Sequence, residues 1–318
     1  MKNFLLLLLV SMLAFSCKKE NPLIRDVADI DISVERFDQL LAKTTTKELP
    51  KLKQTYPFMF PEQYTDAFWE ARLSDTLQIE ILTAVEHVFP NFDTIESDIE
   101  TFYGYMQHYF PEFTAPRVIT AISDVDYRNK VIVTDTIALI SIDTYLGSDH
   151  YFYAGIQKYI AQNLKREQIV PDLAMAYAEK HIFPKQKKTL LDEMIYFGKA
   201  LYFKDATLPF IPEEERIGYY KEQLDWALIN EESIWRYFVE RELLYSTDSK
   251  LPNRFINPSP FTKFNLIEID NDSPGRLGQY IGWQIVRAYM KNNDISLKDM
   301  LVASPEEIFN KSRFKPKK

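Results

Sequence analysis

The sequence predicts an α+β fold dominated by helices and built around a small central sheet. Through most of the chain apolar residues recur at helical spacing, as in Leu173, Tyr177 and His181, or Leu190, Met194, Phe197 and Leu201, so that each set lines one helix face. Only between Arg117 and Ile142 does the period change, to short β-branched runs bounded by Pro, Asp or Gly, the profile of strands covered on at least one face. Hydrophobic residues make up 46% and aromatics 14% of the 318 residues, and a chain of this length buries most of its apolar surface.

Taken in order, the chain opens with Met1-Lys2, an apolar run from Phe4 to Phe15 interrupted only by Ser11, and a Ser16-Cys17 pair. The run is short for the roughly 30 Å hydrocarbon core of a bilayer but suits the h-region of a secretory signal. Cys17 is the only cysteine of the chain, and a small residue directly precedes it. Cleavage between Ser16 and Cys17, with lipid added to the new N-terminal thiol, is therefore expected, and the segment resembles the lipobox of bacterial lipoproteins. Ala14 and Phe15 depart from its strict form, a looseness usual in lipoproteins of the Bacteroidetes type. Residues 1–17 thus read as a lipoprotein signal peptide and residues 18–25, beginning Lys18-Lys19-Glu20-Asn21-Pro22, as a short polar tether. Buried acyl chains contribute about 0.8 kcal/mol per methylene and would hold the protein to a membrane. Lys18 and Lys19 stand where an acidic residue retains some lipoproteins in the inner membrane, and they do not form the acidic cluster linked to surface display. Outer-membrane anchoring facing the periplasm is the expectation. With Cys17 lipidated, no thiol remains for disulfides or metal.

Residues 26–318 carry no repeat, low-complexity tract or Gly/Ser linker, and read as one domain or as two tightly joined lobes, 26–112 and 113–318. The first part alternates through Ile30-Asp31-Ile32-Ser33-Val34 and then turns helical at Phe37, Leu40 and Leu41. Pro61-Glu62 is expected to open a helix with Tyr64, Phe68 and Trp69 inward. Ser74 is expected to cap the next, which buries Leu77, Ile81, Leu82 and Val85. A further helix is predicted from Asp93 to Phe110, stopped by Pro111, followed by strands in 117–122, 130–133 and 137–142. Beyond Gly147 the pattern is helical to the end. Thr189 with Asp192 reads as a capping box, and Pro212, Ser273-Pro274 and Ser304-Pro305 as helix starts. Lys185-Gln186-Lys187-Lys188 reads as a solvated loop and Lys315-Pro316-Lys317-Lys318 as a frayed tail. A net charge of −8, with no basic stripe bearing aromatics, argues against a nucleic-acid partner.

For catalysis, the stretch Tyr177-Ala178-Glu179-Lys180-His181 has the spacing of an H-E-x-x-H zinc site, which needs two histidines one turn apart, a glutamate base beside the first and often a third ligand on a following helix. Only His181 is a ligand type. Tyr177 replaces the first imidazole, Ala178 offers no base, and Phe197 stands before Gly198 where a third-ligand glutamate would be. His181 is then simplest as a hydrogen-bonded packing histidine, and neither metal nor cofactor is expected. His87, His108 and His150 show no ligand spacing. The chain has eight glycines, and Gly275, Gly278 and Gly282 fall close together, the last two one turn apart within a helix, where each costs about 1 kcal/mol relative to Ala. That implies close helix packing, or a groove in which Arg276, Tyr280 and Trp283 would anchor a partner.

Three segments carry a family resemblance: Tyr177 to His181, the stretch from Thr189 to Tyr202, and Asp272 to Val286. Through them the chain resembles the gliding-motility lipoproteins of Bacteroidetes, GldB type, over nearly its whole mature length. These are themselves similar to a group related to zinc peptidases, so the resemblance implies a degenerate zincin-like fold whose ligands are lost. It implies a noncatalytic envelope protein required for gliding, associated with other gliding and type IX secretion proteins. The competing classes are a periplasmic hydrolase, for which Asp192-Glu193 and Glu213-Glu214-Glu215 read better as helix-dipole partners than as catalytic acids, and a glycan- or solute-binding lipoprotein.

Overall fold

The structure, a computed structural model, describes residues 26–183, 188–264, 270 and 272–317. The signal segment with Cys17, the tether 18–25 and Lys185–Lys187 lie outside the described residues. Four strands, β1 (Val34–Arg36), β2 (Arg117–Ala121), β3 (Val131–Val133) and β4 (Ile137–Ser141), form one sheet in the order β1-β2-β4-β3. β2 runs parallel to both β1 and β4, while β3 folds back antiparallel on β4. The three mid-chain runs read as strands are therefore strands. The Ile30–Val34 alternation contributes only its last residue to β1.

Strand periodicity sends alternate side chains to opposite faces and so divides the apolar residues between two cores. Ile119, Ala121, Ile137 and Leu139 face the smaller core, which is closed by α1 (Phe37–Lys43) and α2 (Leu49–Thr55), with Trp69 and Leu73 of α3 (Asp66–Leu73) packed against it. Phe37 stands edge-on to Tyr56 and Phe60, with ring centroids 5.2 and 5.9 Å away. Val118, Ala138 and Ile140 face the larger core, which takes in α4 (Thr76–Val88), α5 (Asp93–Tyr109) and the helices after Gly147. Those are α6 (Lys158–Ala161), α7 (Ile169–His181), α8 (Leu190–Thr207), α9 (Glu213–Ile217), α10 (Lys221–Ile229), α11 (Glu231–Glu240), α12 (Leu251–Phe255), α13 (Leu277–Asn292), α14 (Leu297–Val302) and α15 (Pro305–Ser312). The position dividing the two lobes, near residue 112, is bridged by the β1–β2 ladder and by the larger core.

Several local expectations are corrected. α3 starts after Thr65, whose side chain accepts the Phe68 amide, and Tyr64 and Phe68 stack on each other at the surface instead of facing inward. Asp75, not Ser74, caps α4, and Leu77 is exposed while its neighbour Gln78 shares the buried face with Ile81, Leu82 and Val85. Pro212 is the residue before the first turn of α9. Ser273 caps no helix: it is buried, its hydroxyl donating to the Thr262 carbonyl, and α13 begins at Leu277 behind Arg276. The described tail is docked: Phe314 stands edge-on to Trp235 at 5.2 Å, and the Lys317 amide donates to the buried Glu231 carboxylate at 2.9 Å. The Thr189–Asp192 box and the Ser304 cap form as expected.

Candidate functional site

The helical period of α7 places Leu173, Tyr177 and His181 along one face, and that face turns into the larger core. Tyr177 is buried, its hydroxyl 3.4 Å from that of Tyr103 and its ring edge-on to Tyr103 and Phe113. Burial pushes its phenol up to about 12, so it stays protonated at neutral pH. Ala178 is fully buried. His181 is half-buried and stacks on Phe110 with ring centroids 4.2 Å apart. Burial lowers its pKa more than the neighbouring Glu112 raises it, which keeps the imidazole neutral. Phe197, on α8, packs edge-on to Tyr196 at 5.2 Å.

Tyr177 and His181 come together on the wall of a cleft of about 410 Å³, completed by the 112–116 segment, Thr134, Asp135 and Lys180. Ala178 and Phe197 do not line it. Two surface ion pairs flank the opening, Lys180 with Asp135 and Lys298 with Glu112, each at 2.8 Å. Among the described residues no three His, Cys, Asp or Glu side chains are placed to hold a metal ion. The cleft therefore presents a neutral imidazole, a neutral phenol and paired surface charges, a lining suited to packing and hydrogen bonding. Of the remaining histidines, His150 accepts the Phe152 amide through Nδ1 at 3.3 Å, a local turn contact.

The glycine-bearing helix is built into the core. Gly282 of α13 lies against the backbone of α8: a methyl group on Gly282 would collide with the Met194 carbonyl, and one on Gly198 with the Gly282 carbonyl. A methyl on Gly278 would sit 2.8 Å from the Phe255 carbonyl oxygen. Tyr280 is fully buried and donates to Glu231 at 2.8 Å, and Trp283 is fully buried and donates through Nε1 to Asp205 at 2.8 Å. Arg276, held at φ +60°, gives its guanidinium to the Ile217 and Gly218 carbonyls at 2.9 and 2.7 Å and covers the Tyr219 ring. Tyr280 and Trp283 are thus fully buried, and the polar ends of all three side chains are spent on the protein itself.

Sequence reasoning missed the polar cluster beneath this helix. Asp205 of α8 accepts from Trp283, from both Nε and a terminal nitrogen of Arg287, and from Arg216 at 2.9 Å. Arg287 also bonds Glu213 at 3.0 Å and lies over the Trp283 ring, 3.7 Å from its centroid. Burial alone would lower the Arg287 pKa, but Asp205 and Glu213 raise it above its ordinary value. Nearby, Lys204 is buried with its ammonium on the Arg216 carbonyl at 3.1 Å, and burial lowers its pKa to about 8. The available signal was Lys199, Lys204 and Asp205 standing in the mostly apolar stretch of the helix that follows Glu193.

No described helix is long and apolar enough to cross a membrane. Comparison with curated proteins and with solved structures gave no match. A family model described as gliding motility protein GldB matches residues 17–316, which spans the cleft, the glycine helix and the sheet alike, and the chain belongs to that gliding-motility family.

Proposed function

We propose that this protein is a noncatalytic, lipid-anchored envelope component that serves gliding by binding other proteins of the gliding and type IX secretion apparatus. Lipid on Cys17 would hold it to the outer membrane, facing the periplasm. The observation that carries the noncatalytic part is the fate of the peptidase-like positions: Tyr177 and Ala178 are buried in packing, Phe197 contributes a ring, and His181 is stacked on Phe110. A lone neutral imidazole does not hold zinc against water, since such sites use three protein ligands.

The test is made in cells, with protein abundance measured beside spreading on agar. Glu179 is exposed and is the only carboxylate in the 177–181 segment. Glu179→Gln is expected to leave spreading intact at normal abundance. Elemental analysis of protein purified without chelator is expected to find less than stoichiometric zinc. Loss of spreading in Glu179→Gln, or one zinc per chain that disappears in His181→Ala, would make the site catalytic instead.

A further inference from the structure

The two edges of the sheet are treated differently. At the β1 edge the Val34 amide is taken by the Glu96 carboxylate at 2.7 Å, and the preceding Ile32 amide by Glu100 at 3.3 Å, both from α5. Side-chain carboxylates thus occupy main-chain donors that would otherwise pair with another chain. At the β3 edge no side chain of the described residues takes a main-chain donor of the strand, although α7 packs along it. The Ser141 amide bonds the Lys130 carbonyl and the Thr134 amide the Ile137 carbonyl, each at 2.8 Å, and the register pairs Ile132 with Leu139. In an antiparallel ladder this alternation turns the N–H and C=O groups of Val131 and Val133 away from β4. No hydrogen bond from another of the described residues reaches those groups.

β3 is also held ready. Ion pairs from Lys130 to Asp172 and from Asp135 to Lys180 fasten both ends of the strand to α7, while Val131 and Val133 pack on the larger core. Ile132, between them, points to the opposite side and is half exposed. At the end of the strand Thr134 and Asp135 form part of the cleft that Tyr177, Phe113 and Pro116 also line.

We infer that β3 is a docking edge, to which an extended segment of a partner polypeptide adds as a fifth strand, with one of its side chains entering the Tyr177 cleft. This rests on the protein-binding reading above and specifies its surface. An array of outward main-chain donors and acceptors at strand spacing is complementary to another extended backbone, which identifies the occupant by class. The apolar Ile132 favours β-branched or apolar side chains on the face it shares, and the rings of Phe113 and Tyr177 with Pro116 on the cleft wall favour an aromatic or aliphatic one at the end.

Val133→Pro separates this from a structural role. Proline removes an N–H that points away from β4 and leaves the Ile132–Leu139 pairing in place, the situation in which an edge strand tolerates it. Amide exchange would be followed on the purified full-length chain, with a short alternating Val-Thr peptide as probe and the same peptide N-methylated at alternate residues as control. The expected result is slowed exchange at Val131 and Val133 with the unmodified peptide, and binding about tenfold or more weaker both for the N-methylated peptide and for Val133→Pro. Ile132→Lys, which charges the edge without touching its backbone, should weaken binding in the same direction and serves if the proline variant does not fold. In cells, Val133→Pro at normal abundance is expected to stop spreading. Equal binding of the two peptides, absence of protection at both amides, or normal spreading of a stable Val133→Pro strain would each overturn the docking edge. The last would leave the broader protein-binding reading standing, since another surface could serve it.

Discussion

Gly282 and Gly198 face each other where α13 crosses α8, so a methyl group on either meets a carbonyl instead of a movable side chain. Overpacking of this kind costs about 1–3 kcal/mol, and more when backbone must move. Gly282→Ala is expected to lower the unfolding free energy by about 3 kcal/mol in denaturant titration. Gly155 is the control, because a methyl group there would have no other atom within 4 Å: Gly155→Ala should change stability by less than about 0.5 kcal/mol. Similar losses at both positions would remove the close-contact account. Lys204 gives a pH signature. Its pKa is about 8 in the folded chain against an ordinary 10.5, and burial is the main cause. Between those values the unfolded chain keeps a proton that the folded chain has released, so raising the pH favours folding. Below that window the buried ammonium destabilises by an amount on the order of 3 kcal/mol. Lys204→Met should therefore be more stable than wild type at neutral pH, with the gap closing as pH climbs through the window. Paired unfolding curves across that range check it, and a gap that does not change with pH would refute the burial of a titrating ammonium.

At the scale of elements, α8 and α13 are joined by their glycines and by one acid serving several donors. Asp205→Ala would leave the buried Arg216 and the partly buried Arg287 without their shared carboxylate, and breaking a buried pair costs about 3–5 kcal/mol. Asp225→Ala on the surface of α10 removes only an exposed partner of Lys221 and should cost less than about 0.5 kcal/mol. Thermal unfolding of the two variants is the comparison, and equal shifts would mean that the cluster is solvated. Much of the architecture was legible because the signals were local: β-branched runs became β2, β3 and β4, and Thr189 with Asp192 capped α8 as their spacing predicts. Where two capping residues are adjacent, as Ser74 and Asp75 are, the sequence does not say which one the chain chooses; in the fold it is Asp75 that accepts the Gln78 amide. Ser273 was misread because its hydroxyl serves a tertiary contact with Thr262. The Asp205 cluster escaped notice since its two ends, Asp205 and Arg287, lie 82 residues apart in sequence, and periodicity assigns isolated charges to the surface. Aromatic residues around α13 were equally ambiguous: ring content alone does not separate a core from a groove.

For the whole molecule, the proposed lipid anchor makes the most direct prediction. Cys17→Ser removes the only thiol, so fatty-acid label should be lost and the protein should stay unprocessed or mislocalised. Label retained on that variant would end the lipoprotein reading. The sheet matters here too, because chain from the N-terminal side enters it directly. Residues 27 and 28 lie over Gly104, the amides of Ile32 and Val34 are tied to α5, and β1 then pairs in parallel with β2. A drag transmitted through an N-terminal anchor would first strip the short segment along α5 and then load the β1–β2 ladder lengthwise, its hydrogen bonds sharing the strain side by side. Resistance to such traction is a matter of rupture rate and not of equilibrium stability. In a chain anchored by its N-terminus the mechanical fuse would be the first strand, whose Val34 is already seated in the larger core, before the load reached Phe37 and the smaller one.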